Sequence, residues 1–283
     1  MDWILVLLPG LIWGASFLFI AEGLHAVAPM GVTFVRIAIG FLTLSLVPSA
    51  RRPIAAGDRA RTAALGVVWL AFPLSMFPFA EQHVSSALAG MLNGATPLLA
   101  TIVASAITGV PPSRRVSLGI LVGMLGGALI VWPSLRAHEP SATSGVVMIV
   151  AALVSYAFAY SLARPLQQRN GALPVMWRAL AVALALTAPF GVPAVAHAHW
   201  TARAVACLAA LGALGTGVAY VMLATATGRV GATRASANNF IIPAVSLLLG
   251  VLVRHETVAG LSVAGAGVCL TGAWLINPAT RTR

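Results

Sequence analysis

From residue 3 to residue 276 the chain reads as a succession of apolar runs of about twenty residues, interrupted only by short stretches of Gly, Pro and charge. At about 1.5 Å of helical rise per residue, such a run matches the roughly 30 Å hydrocarbon core of a bilayer. Hydrocarbon offers no partner to an unpaired N–H or C=O, so each run must form its own backbone hydrogen bonds as a helix. Charged residues make up 8% of the chain and hydrophobic ones 59%, too little charge to coat a water-facing surface of this size. A soluble globular fold is excluded. The expected fold is an all-α membrane protein of ten transmembrane helices near 3–22, 31–48, 62–80, 85–108, 116–133, 145–163, 175–195, 204–224, 236–253 and 259–276, with no room for an extramembrane domain. Ala26-Val27-Ala28 has the small residues of a cleavage site, but Asp2 stands where a signal peptide carries positive charge, so the first run is read as a span.

All 17 basic residues are arginine, and their placement orients the bundle. Taking connections alternately, four (Arg36, Arg136, Arg203 and Arg254) fall on one side and the other 13 on the opposite side. By the positive-inside rule both termini are expected in the cytoplasm, in a bacterial cytoplasmic membrane. The net charge of +11 is thereby assigned to anionic headgroups, and nucleic acid is not expected as a partner. Cys207 and Cys269 lie alone in apolar runs and are read as packing residues.

The two halves echo one another. Asn93 and Pro97 match Asn239 and Pro243 at a spacing of 146 residues, Gly127 and Pro133 match Gly272 and Pro278 at 145, and Trp13 and Phe17 match Tyr156 and Tyr160 at 143. Five spans per copy is an odd number, so the second copy enters from the opposite face. The expected organisation is two inverted five-helix repeats, residues 1–137 and 138–283, an architecture of transporters. Trp13-Gly14, the stretch from Pro29 to Arg36, Ser85-Ser86-Ala87-Leu88-Ala89 with Pro97, and in the second copy Gly231-Ala232, Ala235, Pro243, Glu256 and the Gly-rich last span carry a resemblance to the EamA-type branch of the drug/metabolite transporter superfamily. That resemblance covers nearly the whole chain and implies export of amino acids, aromatic ones among them, or of related small metabolites. Uptake, or a multidrug or nucleotide-sugar type of transport, is the alternative within the same fold. The chain departs from the family in having Val110-Pro111-Pro112 where a Glu often follows the fourth span, and Glu256 is given no transport role.

A substrate site is expected near the midplane, where prolines free backbone carbonyls. Trp69, Phe72, Met76, Phe79 and His83 recur at three- and four-residue steps along the third span, His83 closing the stripe. Tyr156, Tyr160 and Tyr220 sit inside spans and need hydrogen-bond partners there, as do the amides of Asn93, Asn238 and Asn239. The expected substrate-binding residues are thus Trp13, Phe79, His83, Asn93, Tyr156, Tyr160, Tyr220, Asn238 and Asn239, around a nearly neutral aromatic cavity. Glu22 is the expected partner of Arg36. Gly119, Gly123 and Gly127 are expected to pack within their own repeat, with a monomer favoured over a homodimer.

Enzyme signatures are missing. There is no G-x-x-x-x-G-K-[ST], H-E-x-x-H or G-x-S-x-G, and both aspartates, Asp2 and Asp58, lie outside the expected spans. No catalytic residue, metal or cofactor is expected, and the connections are too short for a scaffold. Apart from the lipid bilayer, a small-molecule substrate is the expected partner. With Glu22, Glu81 and His83 placed toward the outer ends of their spans and no acid near the midplane, a facilitator working by alternating access is expected, His83 being its one candidate proton carrier.

Overall fold

A computed structural model describes residues 2–136, 140–230 and 236–276. Gly231, Ala232, Ala235, Pro278 and the arginines at 234, 281 and 283 lie outside them. The described residues form helices and no strands: α1 (Asp2–Leu24), α2 (Pro29–Ser45), α3 (Ala56–Ala80), α4 (Ser86–Thr108), α5 (Arg114–Arg136), α6 (Pro140–Asn170), α7 (Ala172–Ala196), α8 (Ala202–Ala226), α9 (Asn238–Arg254) and α10 (Gly260–Ile276). Seven are long and apolar enough to cross a membrane, and α2, α9 and α10 are shorter apolar helices. Leu121, Phe190 and Leu252 are 66%, 65% and 69% exposed, an outer surface that only lipid solvates without penalty. The protein is an all-α membrane protein.

Local chemistry sets the helix ends. Pro29 occupies the first turn of α2, where its missing N–H costs nothing. The hydroxyls of Ser85 and Thr201 accept from Leu88 N and Ala204 N and cap α4 and α8. Gly109 ends α4 at φ 68°, and Gly171 alone, at φ 85°, separates α6 from α7. Beyond its expected end, α6 continues to Asn170, where Arg169 and Asn170 both donate to the Asp58 carboxylate at the start of α3.

Two helices depart from α-winding. Gly66–Ala71 in α3 and Leu211–Val218 in α8 are wound as π-helix, and their starts lie 145 residues apart. A π turn displaces the ordinary i→i+4 bonds and leaves carbonyls open to other donors. Another helix supplies a donor to each: Ser155 Oγ of α6 donates to Val68 O at 2.6 Å, and Trp13 Nε1 of α1 donates to Gly215 O at 2.8 Å.

Two glycines of α5 pack across the molecule and one within its own half. A Cβ on Gly119 would lie 2.9 Å from Gly272 O, one on Gly126 would meet Cys269 N, and one on Gly272 would meet Gly123 N, so α5 and α10 cross backbone to backbone. Of the expected stripe, Gly119 thus turns toward the other half, Gly123 packs as expected against a residue of its own half, the Leu98 side chain of α4, and Gly127 faces open space. Gly272→Leu is expected to cost about 1–3 kcal/mol or more by overpacking, read as a lowered thermal unfolding midpoint in detergent. Gly127→Leu, with nothing within 4 Å, is expected to leave that midpoint unchanged.

Candidate substrate pathway

Rings from α1, α3, α6 and α8 meet in the interior. Trp13 and Tyr220 stand edge to face at 5.5 Å, Tyr220 meets Trp69 at 6.0 Å, and Trp69 meets Tyr160 at 5.7 Å. A second group joins Phe17 to Phe77 at 5.6 Å and stacks Phe77 on Tyr156 at 6.1 Å. Three of the nine expected residues, Trp13, Tyr160 and Tyr220, therefore meet through Trp69, with Tyr160 itself 40% exposed, and a fourth, Tyr156, belongs to the second group. Phe79 is half-buried without a ring partner, and His83 is exposed on the connection after α3. Along α3, Trp69, Pro73 and Phe77 are buried at four-residue steps, Phe72 is exposed, and Glu81 follows one step later, just beyond the helix end. The stripe read through Phe72, Met76 and Phe79 tracks a different face and misses Phe77 and Glu81; the four-residue step from Trp69 was the available signal.

Arg36, on α2, reaches the same centre. It is 8% exposed, its Nε donates to Thr216 Oγ1 at 3.0 Å, and Thr216 in turn donates to Leu211 O inside the second π segment. Its two terminal nitrogens have no hydrogen-bond partner among the described residues, and its charge acts on Tyr156, Tyr220 and Glu81. The interior is therefore not neutral, and Glu22 is not the partner of Arg36. Arg178, the matching residue of the second half, stays at the start of α7, where it bonds Pro174 O and lies 5.4 Å from the Trp177 ring centre.

The expected amides sit at helix breaks. The α4 backbone breaks after Asn93, whose carbonyl accepts from Thr96 Oγ1 at 2.6 Å, and α9 passes from a 3-10 turn at Ser236–Phe240 into α-helix at Ile241. The breaks face one another: a Cβ on Gly94 would lie 2.8 Å from Pro243 Cγ. Asn238 is 1% exposed and its Nδ2 has no partner, while Asn239 is half-buried. Among the described residues no three His, Cys, Asp or Glu gather into a metal site.

One end of the bundle is tied together by charge. The left-handed turn at His255, φ 54°, ends α9 and aims Glu256 at the start of α4. Its Oε1 accepts from Ser86 N at 3.0 Å and Ser86 Oγ at 2.8 Å, and its Oε2 from Ala87 N at 2.9 Å, a carboxylate on a helix N-terminus. Arg254 links Glu256, at 3.2 Å, to Glu22 of α1, at 2.7 Å, and Arg203 of α8 also reaches Glu22 at 2.7 Å. Four helices are joined by one network.

The EamA-like transporter family matches residues 3–132 and 143–277. The chain belongs to that family. A family of transporters sets the enzyme reading aside. A probable terminal-alkyne amino-acid exporter of Streptantibioticus cattleyicolor is 25% identical over 276 residues, covering 96% of this chain and 91% of that protein. An uncharacterized transporter of Archaeoglobus fulgidus is 21% identical, covering 97% and 98%, and the uncharacterized transporter YoaV of Bacillus subtilis is 23% identical, covering 94% and 92%. A solved structure named only "Crystal structure of protein" has a TM-score of 0.66 at 18% identity, covering 97% of this chain and 96% of its own, a likeness of fold. The EamA-like protein is thus a multi-pass membrane transporter in which Glu256 ties the end of α9 to the start of α4. Glu256→Gln is expected to lower stability by about 1.5–3 kcal/mol, because charge-assisted bonds to a helix start become neutral ones. The check is thermal unfolding in detergent beside Glu256→Asp, which keeps the charge and is expected to lose less.

Proposed function

We propose that this transporter exports amino acids, aromatic ones among them, or related small amphipathic metabolites from the cytoplasm, by alternating access between two inverted five-helix halves, residues 1–137 and 138–283. The observation that carries the reading is Arg36: a buried guanidinium with two unused terminal nitrogens, set among Trp13, Tyr156 and Tyr220, offers a carboxylate a charged partner and its side chain an aromatic wall. The 25% identical relative named as a probable amino-acid exporter supports the substrate class. Lining is assigned to Trp13, Trp69, Phe77, Tyr156, Tyr160 and Tyr220, with Asn93, Asn238 and Asn239 at the helix breaks. Phe79 and His83 are left out.

Ten spans follow if α2, α9 and α10 also cross. Helices of 17 residues, as α2 and α10 are, reach about 25 Å, the short end of what spans a bilayer. Inversion is supported by π segments and helix breaks that recur 145 and 146 residues apart, and by the reciprocal bonds in which α1 donates into α8 and α6 into α3. A reporter active only in the cytoplasm is expected to give signal fused at residue 283 and none in the connection between α5 and α6; the opposite pattern reverses the topology.

In proteoliposomes, labelled phenylalanine is expected to exchange by counterflow, and nucleotide sugars are not. Arg36→Lys keeps the charge but loses the planar fork, and is expected to lower phenylalanine counterflow about tenfold, equivalent to ~1.4 kcal/mol. Exchange of nucleotide sugars without any amino acid would overturn the reading.

A further inference from the structure

Glu81 is the acid whose chemistry the pathway has not used. It follows the last residue of α3, its N–H donates to Phe77 O at 2.8 Å, and both carboxylate oxygens are sealed from solvent with no hydrogen-bond partner among the described residues. The other described acids with placed side chains are all engaged: Glu22 by two arginines, Asp58 by Arg169 and Asn170, Glu256 by Ser86, Ala87 and Arg254. An ionised carboxylate in such a place has given up its hydration and received no donor, at a cost of several kcal/mol that taking up a proton removes. Geometry alone therefore makes Glu81 neutral in this closed arrangement. Burial pushes its carboxyl well above the usual range, Glu256 adds to the rise, and Arg254 and Arg36 oppose it.

Those two arginines are also what an ionised Glu81 would meet. Arg254, at the end of α9, belongs to the network that ties one end of the bundle together, and Arg36, on α2, faces the aromatic centre. His83, on the same connection as Glu81, is exposed, and Glu256 is the acid facing Glu81 from beyond the end of α9. Opening that end breaks the bonds of Arg254 to Glu22 and Glu256 and admits water, so the closed state favours the proton on Glu81 and the open state releases it. We propose that Glu81 carries a proton through the transport cycle and couples substrate movement to a pH difference, in place of the uncoupled facilitator expected from the sequence. The coupling rests on the export reading; the protonation of Glu81 does not.

The test has two arms on the full-length protein. Infrared difference spectra of the wild type against Glu81→Gln, both at neutral pH, are expected to show the C=O stretch of a protonated carboxyl present in the wild type and absent from the variant. Loss of only a carboxylate band overturns the proposal whatever is transported. In proteoliposomes, an imposed pH difference is expected to raise labelled phenylalanine at least threefold above its equilibrium level, and Glu81→Gln to bring that ratio to about one. A wild-type ratio of one with active counterflow, or a ratio kept by Glu81→Gln and lost by His83→Ala, overturns the proposal. If no amino acid exchanges at all, the export reading fails and the infrared band still decides the state of Glu81. If Glu81→Gln does not fold, the C=O band of the wild type, followed from neutral to alkaline pH, decides it: a band present at neutral pH supports the proposal, and its absence overturns it.

Discussion

Inside a bilayer no carbonyl can be left for water to satisfy, and the two π-wound segments are where this constraint shapes the molecule. Each wide turn opens carbonyls within the membrane, and each calls on a side chain from another helix: Ser155 for Val68 O, Trp13 for Gly215 O. Those bonds hold α6 to α3 and α1 to α8, which brings Trp13, Trp69, Tyr156 and Tyr220 into one interior. Thr216, in the second π segment, also anchors Arg36, so the guanidinium reaching this centre depends on the same irregular winding.

Charge is distributed with similar economy. The α5 and α10 helices join the two halves of the chain through glycine contacts that need no polar group. At the tied end, Glu256 supplies the acceptors that the start of α4 lacks, and Arg254 connects it to Glu22. Glu81 lies beside this network without joining it. A structural acid would have been paired by Arg36 or Arg254, which are close enough to act on its charge and yet make no bond to it.

Much of this was legible in the chain. Apolar length and sparse charge gave the helical membrane fold, because hydrocarbon permits so few alternatives. Trp13 was legible because an indole N–H inside a span demands a partner, which it finds in Gly215 O; Tyr156 and Tyr220 come into the interior through ring contacts. Phe77 and Glu81 were not legible, since the stripe through Phe72, Met76 and Phe79 is the more regular one on this helix, and periodicity alone does not say which face meets the neighbouring helices. Arg36 was misread for another reason: its nearest apparent acid, Glu22, is taken by Arg203 and Arg254, which approach from distant parts of the sequence. Gly119 and Gly123 were correctly marked for close packing and Gly127 was not, because spacing along one helix does not say which neighbour each position meets.

The central claim is that the aromatic interior around Arg36 is a water-accessible pathway and not a sealed core. In a background with Cys207 and Cys269 replaced, single cysteines at Tyr156 and Tyr220 can be exposed to a membrane-impermeant thiol reagent, beside cysteines at Phe72 and Phe158, which are 41% and 49% exposed on the outer surface. The account predicts that Tyr156→Cys and Tyr220→Cys react and are protected by phenylalanine, while Phe72→Cys and Phe158→Cys, facing lipid, do not react. Reaction at the outer positions with none at the inner ones, or inner reaction that phenylalanine leaves unchanged, would contradict it.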